Sequence, residues 1–524
     1  MNLINKLLAE NEALKSKLEK QETEIASLKK QNEWYIEQLK LRQKEKFGVS
    51  SEKADENQMT LFDFFNEAEI LREPITTEPD EKVMVPAHTK RKAKRGSKLD
   101  ALPVETIYYE IPESDRICEI CGSVLTEMKK EIRRELKIVP AKVSIVEHVT
   151  FVYSCRNCDK NGTEGFIKKA ESPKAMIPKS MVSPSMMAYI LNQKYTNAMP
   201  LYRQEQEFNR YGINISRQNL SNWIIKGAGL LKPLMQEMKK ELLGNELLHA
   251  DETTLEVLHE PGRNSTSKSY MWVYRTSACT AHPVILYDYQ EGRSGAHAKA
   301  FLKEWKGRYL HCDGYAGYKQ LENVTLCGCL VHAKRKFHDA WKANPNNEDA
   351  KTGENYIQKL FAIESKADRL GYSAEERLEL RQKESRAVLD EFYGWVEQTA
   401  QRTLPQSLIG KAITYAQNQK EYLCSFLKDG RIQLSNNLAE QAVKPFVIGR
   451  KNWLFANTPN GAAASSLIYS VIQTAIANDL KPLSYLEYVF EQIQLAKDLQ
   501  TEDLLPWSDK IPECCKNQKP SSSQ

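Results

Sequence analysis

The stretch "NELLHADETTLEVL", residues 245–258, decides how this chain is read. Apolar and β-branched residues dominate it and predict a strand. Asp251 then falls where the apolar run should continue. A single Asp in such a place is usually a turn or strand-end residue. Its significance rises because a second short run, "GRYLHCDGYAGY" (307–318), ends its apolar part in the same way. Asp251 follows "LLHA" and Asp313 follows "YLHC".

Between and after these runs, "SKSYMWVYRTSA" and "AHPVILYDYQ" read as antiparallel strands and "SGAHAKAFLKEW" as a helix. "NVTLCGCLVHAKRKFHDAW" gives a short strand and a helix. The order is three strands, helix, strand, helix, strand, helix, which predicts a mixed sheet with helices on its faces. In such a sheet the first and fourth strands can be central neighbours. Asp251 and Asp313 would then emerge at one level. Two buried carboxylates side by side repel, and a divalent cation removes the conflict. Hard oxygen ligands favour Mg²⁺ or Mn²⁺ over zinc.

A third acid stands in "LSNNLAEQAVKPFVIGRKNWLF" (434–455). Glu440 is expected on a short helix that Pro445 ends or kinks. Asn437 to Glu440 also fits a capping box, with Glu440 folded back on the helix start. Lys444 lies one turn on, and Arg450 and Lys451 add positive charge.

The rest of the 524 residues carries polar attachments. Domains hold about 100–200 residues, so three or four units are expected. Residues 1–41 carry a heptad with Ile4, Asn11, Leu18, Ile25, Asn32 and Leu39 at a, and Leu7, Leu14, Gln21, Leu28 and Tyr35 at d. Such a repeat predicts a coiled coil, and Asn at a favours a parallel pair, so a homodimer or higher multimer is expected through this segment. Residues 42–100 read as a linker that ends in the basic cluster "HTKRKAKRGSK". Residues 101–165 hold Cys118, Cys121, Cys155 and Cys158 as two CxxC pairs. Four thiolates from two knuckles suit a tetrahedral structural Zn²⁺ and leave no open position for catalysis. Residues 181–243 read as helix, turn, helix, broken at Tyr211-Gly212 and restarted with Ser216 as cap. Arg217, Gln218, Asn219 and Asn222 fall near the start of the second helix, where a DNA-recognition helix reads base edges. An ordinary helical hairpin would look the same.

The net charge of +5 is modest and does not by itself argue for nucleic acid. No apolar run reaches the roughly 18–20 residues of a membrane span, and the N-terminus has no signal-peptide core, so no membrane partner and a cytoplasmic location are expected.

Taken together, the motifs resemble those of the insertion-sequence-66 family, DDE transposases with an RNase-H-like catalytic core. The resemblance rests on "KFGVSSEK", "RICEICGSVL", "HADETTLEVL", "HCDGYAGY", "LVHAKRKF" and "NNLAEQAVKPFVIGRKNWLFANTPNGAAASS", and on "AIANDLKPLSYLEYVF" near the end. It implies a multidomain α+β chain: an RNase-H-like mixed α/β core over 244–475 with a helical insertion at 340–430, beside the coiled coil, zinc ribbon-like module and helix-turn-helix. A C-terminal helical element at 476–510 and a disordered tail at 511–524 complete the expectation. The acidic triad falls on Asp251, Asp313 and Glu440, with two Mg²⁺ or Mn²⁺ ions about 3.5–4 Å apart.

The implied partners are DNA (the element's terminal inverted repeats and target DNA) and companion proteins of the same element, in a bacterial, nucleoid-associated setting. His332, read at a strand end, resembles a family position near the site, where it could contact a phosphate. Lys334 and Arg335 follow it. Where the family commonly carries Arg after the Glu and again three residues later, this chain has Gln441 and Lys444. Two rival readings are an RNase-H-like nuclease that cuts without joining and a DNA-binding regulator with a silent core.

Overall fold

The computed structural model describes residues 143–149, 151–154, 167–169, 173–495 and 500–517, with residues 11, 14–25, 28, 31–32 and 34–36 near the N-terminus. The four zinc-module cysteines and the basic cluster at 88–98 lie outside the described residues. The chain divides into two compact units, residues 1–70 with 174–516, and residues 71–173 with 517–524. In the smaller unit, β1 (Val152–Ser154) and β2 (Ile167–Lys169) form an antiparallel pair.

From residue 184 the larger unit runs through helices α1 (Pro184–Tyr195), α2 (Leu201–Arg210), α3 (Arg217–Leu230) and α4 (Lys232–Leu243). The expected break is present: α2 ends at Arg210, and Gly212 has a φ of 78°, a conformation glycine adopts without strain. Ser216 caps α3, its hydroxyl accepting from Asn219 N at 3.3 Å. These helices do not form a separate core. Met187, Leu191, Leu220 and Ile224 belong to the apolar cluster that also holds the sheet residues Leu248, Trp272 and Leu286.

Five strands follow the predicted order: β3 (Leu247–Glu256), β4 (Lys268–Thr276), β5 (Ile285–Gln290), β6 (Tyr309–His311) and β7 (Thr325–Cys327). The sheet order is β5-β4-β3-β6-β7. The first two junctions are antiparallel and the last two parallel. Thus β3 is central and β6 lies beside it. Helix α5 (Gly295–Phe301) crosses between β5 and β6. Strand β6 ends at His311, so Asp313 stands just beyond the strand and not on it.

Edge strand β5 is covered by α12 (Pro459–Ala477), which is apolar on most of its surface. Its hydroxyls complete the β5 ladder. Ser470 Oγ accepts from Tyr287 N at 2.8 Å and Thr474 Oγ1 from Ile285 N at 3.0 Å. A helix thus takes the place of a sixth strand and blunts an edge that would otherwise pair with other chains.

Between β7 and the third acid lie helices α6 (Leu330–Ala343), α7 (Glu348–Leu370), α8 (Ala374–Leu380), α9 (Arg386–Arg402) and α10 (Leu408–Asn418), the last four within the 340–430 segment read as a helical insertion. They build a second apolar cluster around Phe337, Leu360, Phe392 and Ile413, which reaches the sheet at Tyr309 and Cys327. The insertion is therefore anchored on β6 and β7.

Helix α11 (Asn437–Trp453) carries Glu440 and overturns two expectations. Pro445 neither ends it nor keeps it short; the helix runs on for 17 residues. The capping box is not formed either. The cap is Asn436, whose side chain makes no cap hydrogen bond because it is bound elsewhere. At Gly449, an added Cβ would lie 2.3 Å from the Tyr469 hydroxyl, so glycine sets the close approach of α11 to α12. Helix α13 (Pro482–Leu495) follows. Residues 511–517, expected in a disordered tail, are packed: Ile511 and Cys515 are buried, and Lys481 N donates to Cys515 O at 2.7 Å. No helix among the described residues is long and apolar enough to cross a membrane.

Candidate active site

The parallel pairing of β3 and β6 aligns Leu247 with Tyr309, Leu248 with Leu310 and His249 with His311. Two residues further along each chain stand Asp251 and Asp313. The matching contexts in the sequence therefore start from paired positions, with Asp251 still on β3 and Asp313 just past the end of β6. Asp251 Oδ1 accepts from Glu252 N at 2.8 Å. Burial pushes the Asp251 carboxyl well above its usual range, and the charges of Glu252, Asp313 and Glu440 push it further. Such mutual effects require the three acids to share one electrostatic neighbourhood.

Glu440 reaches that neighbourhood through a loop pinned on both strands. Asn436 is 1 % exposed. Its Oδ1 pairs with His249 Nδ1 at 3.0 Å, and its Nδ2 donates to Ala250 O at 2.9 Å. His311 Nε2 pairs with Gln433 O at 2.9 Å. Those partners assign the tautomers, because an amide oxygen and a carbonyl can only accept: His249 donates through Nδ1 and His311 through Nε2. The rings stack at 5.0 Å, and burial lowers the pKa of both, His249 well down and His311 to about 4, so both are neutral at neutral pH. Leu330 N donates to Leu434 O at 2.9 Å, Asn436 N to Cys329 Sγ at 3.3 Å, and Arg275 Nη1 to Leu438 O at 3.0 Å. The first turn of α11 therefore starts from a fixed place.

His332 is not at a strand end but in the first turn of α6. Its Nε2 lies 3.5 Å from Glu440 Oε1. Burial lowers its pKa while Glu440 raises it. Lys334 and Arg335 lie on the same helix, half-buried.

The sequence reading missed Glu252. Its side chain is only 1 % exposed and pairs with Arg293 Nη2 at 2.6 Å. The Tyr318 hydroxyl donates to its other oxygen at 2.7 Å. Arg293 also stands 3.9 Å from Asp313 Oδ2 and over the Tyr315 ring. The guanidinium thus links a buried carboxylate to the second acid. A second acidic residue beside Asp251 in "HADET" was the available signal.

Arg450, expected to add free charge for DNA, binds β3. Its Nη1 donates to Thr254 Oγ1 at 2.9 Å and Thr253 Oγ1 at 3.2 Å. Lys444 is half-buried and Lys451 exposed. Helical spacing puts both near the Glu440 face of α11. Arg217, Gln218, Asn219 and Asn222 are all exposed at the start of α3. Arg217 pairs there with Glu205 at 3.0 Å.

The family model for the IS66 family of transposases matches residues 179–464, which include both Asp runs and α11 through its Glu440 turn. The chain belongs to the IS66 transposase family. Three further models of that family match: the zinc-finger binding domain over residues 115–159, the homeodomain described as Transposase C of IS166 over 34–107, and the C-terminal element over 470–507. The zinc-finger match spans Cys118, Cys121, Cys155 and Cys158. Among curated relatives, the uncharacterized protein y4jD of Sinorhizobium fredii is 30% identical over 430 residues, covering 79% of this chain and 82% of the relative. The uncharacterized protein y4hP of the same organism is 28% identical over 449 residues, covering 81% of this chain and 79% of the relative. The zinc-finger and transposase models supply zinc binding, DNA binding and a divalent-metal nuclease type as properties of this family.

Proposed function

We propose that this chain is a DDE transposase that binds the ends of its insertion sequence and catalyses metal-dependent cleavage and transfer of DNA strands. The observation that carries the reading is the β3–β6 register, which ends two residues before both Asp251 and Asp313 and so supports them as neighbours near the pinned start of α11. The sheet order and the antiparallel placement of β4 and β5 are consistent with an RNase-H-like core.

Asp251, Asp313 and Glu440 are the residues that would hold two Mg²⁺ or Mn²⁺ ions. Their chemistry fits: all are hard oxygen donors, and Asp251 is buried beside the charges of Glu252, Asp313 and Glu440, a crowding that a dication relieves. When bound, such ions activate a water or 3′-hydroxyl and stabilise the leaving oxygen. The protein's own groups orient the site. Arg293 balances Glu252 and faces Asp313, and His332 faces Glu440. Lys334, Arg335, Lys444 and Lys451 supply positive charge for the DNA backbone, and the exposed face of α3 supplies base contacts. The cysteine pairs hold a structural zinc. Described residues near the N-terminus are helical, and Leu14, Leu18, Ile25 and Leu28 are exposed there, as an unpaired coiled-coil seam would be. Pairing along that seam would bring two chains to two DNA ends.

The test is incubation of the full chain with its element's end sequence and Mg²⁺. Wild type nicks the DNA. Asp251→Asn binds the same DNA and leaves it intact. Equal cutting by both proteins removes Asp251 from the mechanism.

A further inference from the structure

One side of the acidic site has a donor set unlike the other. Among the described residues, the group whose ligand atoms all lie within 4.8 Å of one another is Cys329, His332 and Glu440. Cys329 is the residue before α6 and His332 the third residue of that helix, so one helix start presents both. Glu440 comes from α11 to face them, 3.5 Å from His332. Asp251 and Asp313 are not in this group.

Thiol, imidazole and carboxylate together form a set for a borderline-soft ion, not for magnesium. The setting of the sulfur suits a bound thiolate. Cys329 is 1 % exposed, and Asn436 N already donates to its Sγ at 3.3 Å. Burial raises the thiol's pKa and the Glu440 charge adds to that, while the N–H groups of Asn436, His332 and Val331 oppose the rise without cancelling it. Hydrogen bonds to the sulfur are the outer-shell support that thiolate–metal sites carry. The His332 and Glu440 side chains remain 25% and 28% exposed, so two of the three donors meet solvent.

We infer that Cys329, His332 and Glu440 form a binding site for Zn²⁺ or a similar borderline-soft dication, and that its occupation withdraws Glu440 from the magnesium site. Zinc enters as the aquo ion, loses water to the three side chains and displaces the Cys329 thiol proton to solvent. A Glu440 carboxylate drawn toward Cys329 and His332 by zinc is turned from the position it needs beside Asp251 and Asp313. Zinc at this site therefore opposes magnesium-dependent cleavage. The inhibitory half rests on the proposed role of Glu440; the binding half does not.

The experiment uses the full chain with its cysteine-pair module already zinc-loaded. Added Zn²⁺ is followed by calorimetry, and added Co²⁺ by its thiolate-to-metal absorption. Wild type is expected to take one further ion per chain with a thiolate signal. Cys329→Ser should lose that signal and bind the ion more weakly by more than about tenfold, the least that loss of an outer-shell partner costs a metal site. His332→Gln, at a half-exposed position, should weaken binding similarly and serves if the serine variant does not fold. In the cleavage assay at fixed Mg²⁺, zinc should reduce cutting by wild type more than cutting by Cys329→Ser, each compared with itself without zinc. No further ion in wild type, or equal affinity and signal in wild type and both variants, overturns the site. A chain that binds the ion but never cuts DNA overturns the proposed function and leaves the site standing.

Discussion

The β3–β6 pair and the α11 start hold acids of one electrostatic neighbourhood by different means. Asp251 and Asp313 are placed by backbone. The parallel ladder ends two residues before each of them, and a one-residue slip would move every neighbouring side chain to the other face. Glu440 is placed by side chains. Asn436, His249, His311, Cys329 and Arg275 hold its loop, and Arg450 ties the far end of α11 to β3. The first arrangement resists single substitutions of its supports, whereas the second depends on a few buried polar groups.

The largest effect separates chemistry from support. Asp251→Asn should lower cleavage by at least about 10³-fold, the rate equivalent of the several kcal/mol that metal-assisted charge stabilisation supplies. Its melting temperature should not fall, because the substitution removes a buried, crowded carboxylate. A large drop in melting temperature would show that Asp251 also supports the fold.

Asn436→Ala should produce the opposite profile. It leaves Ala250 O and His249 Nδ1 unsatisfied in the interior, a loss of roughly 2–4 kcal/mol from two buried groups. Chemical denaturation reads that loss directly. Because the loop then floats, the Mg²⁺ concentration needed for half-maximal cleavage should rise. Unchanged stability would mean that the ladder alone sets the site and that the side-chain ties are incidental.

That contrast also explains what could be read in advance. The strands, the central place of β3 beside β6, the helical insertion and the pairing of Asp251 with Asp313 follow from local periodicity and repeated strand contexts. The surroundings of Glu440 do not. A capping box was expected at Asn437, but Asn436 takes the cap, and its side chain is drawn away by His249, 187 positions earlier in the chain. Pro445 was expected to end or kink the helix; it does not end it, and Val443, Phe446 and Gly449 on either side are buried. Glu252 and Cys329 were passed over because their partners, Arg293 and His332 with Glu440, meet only in the tertiary structure.

Arg293→Ala should have an intermediate effect. It strands Glu252, which is 1 % exposed, while the arginine itself is 43% exposed. Solvent screening on the arginine side reduces the expected loss to about 1–2 kcal/mol. The accompanying Glu252→Gln, Arg293→Ala double variant should recover most of it, because no unpaired charge remains. Failure to recover would place the main role of Arg293 at Asp313.

The smallest effect tests whether α11 divides its charges between folding and DNA. Lys451→Gln should weaken DNA binding evenly across sequences and reduce the slope of log affinity against log salt by about 1, the signature of one lost phosphate contact. Arg450→Gln should leave that slope unchanged and lower stability, because its guanidinium is spent on Thr253 and Thr254. Should Arg450→Gln reduce the salt slope as Lys451→Gln does, the far end of α11 would belong to the DNA surface, and the tie to β3 would be secondary. Glu440 would then depend on its loop alone for position, which sharpens the contrast with the two aspartates.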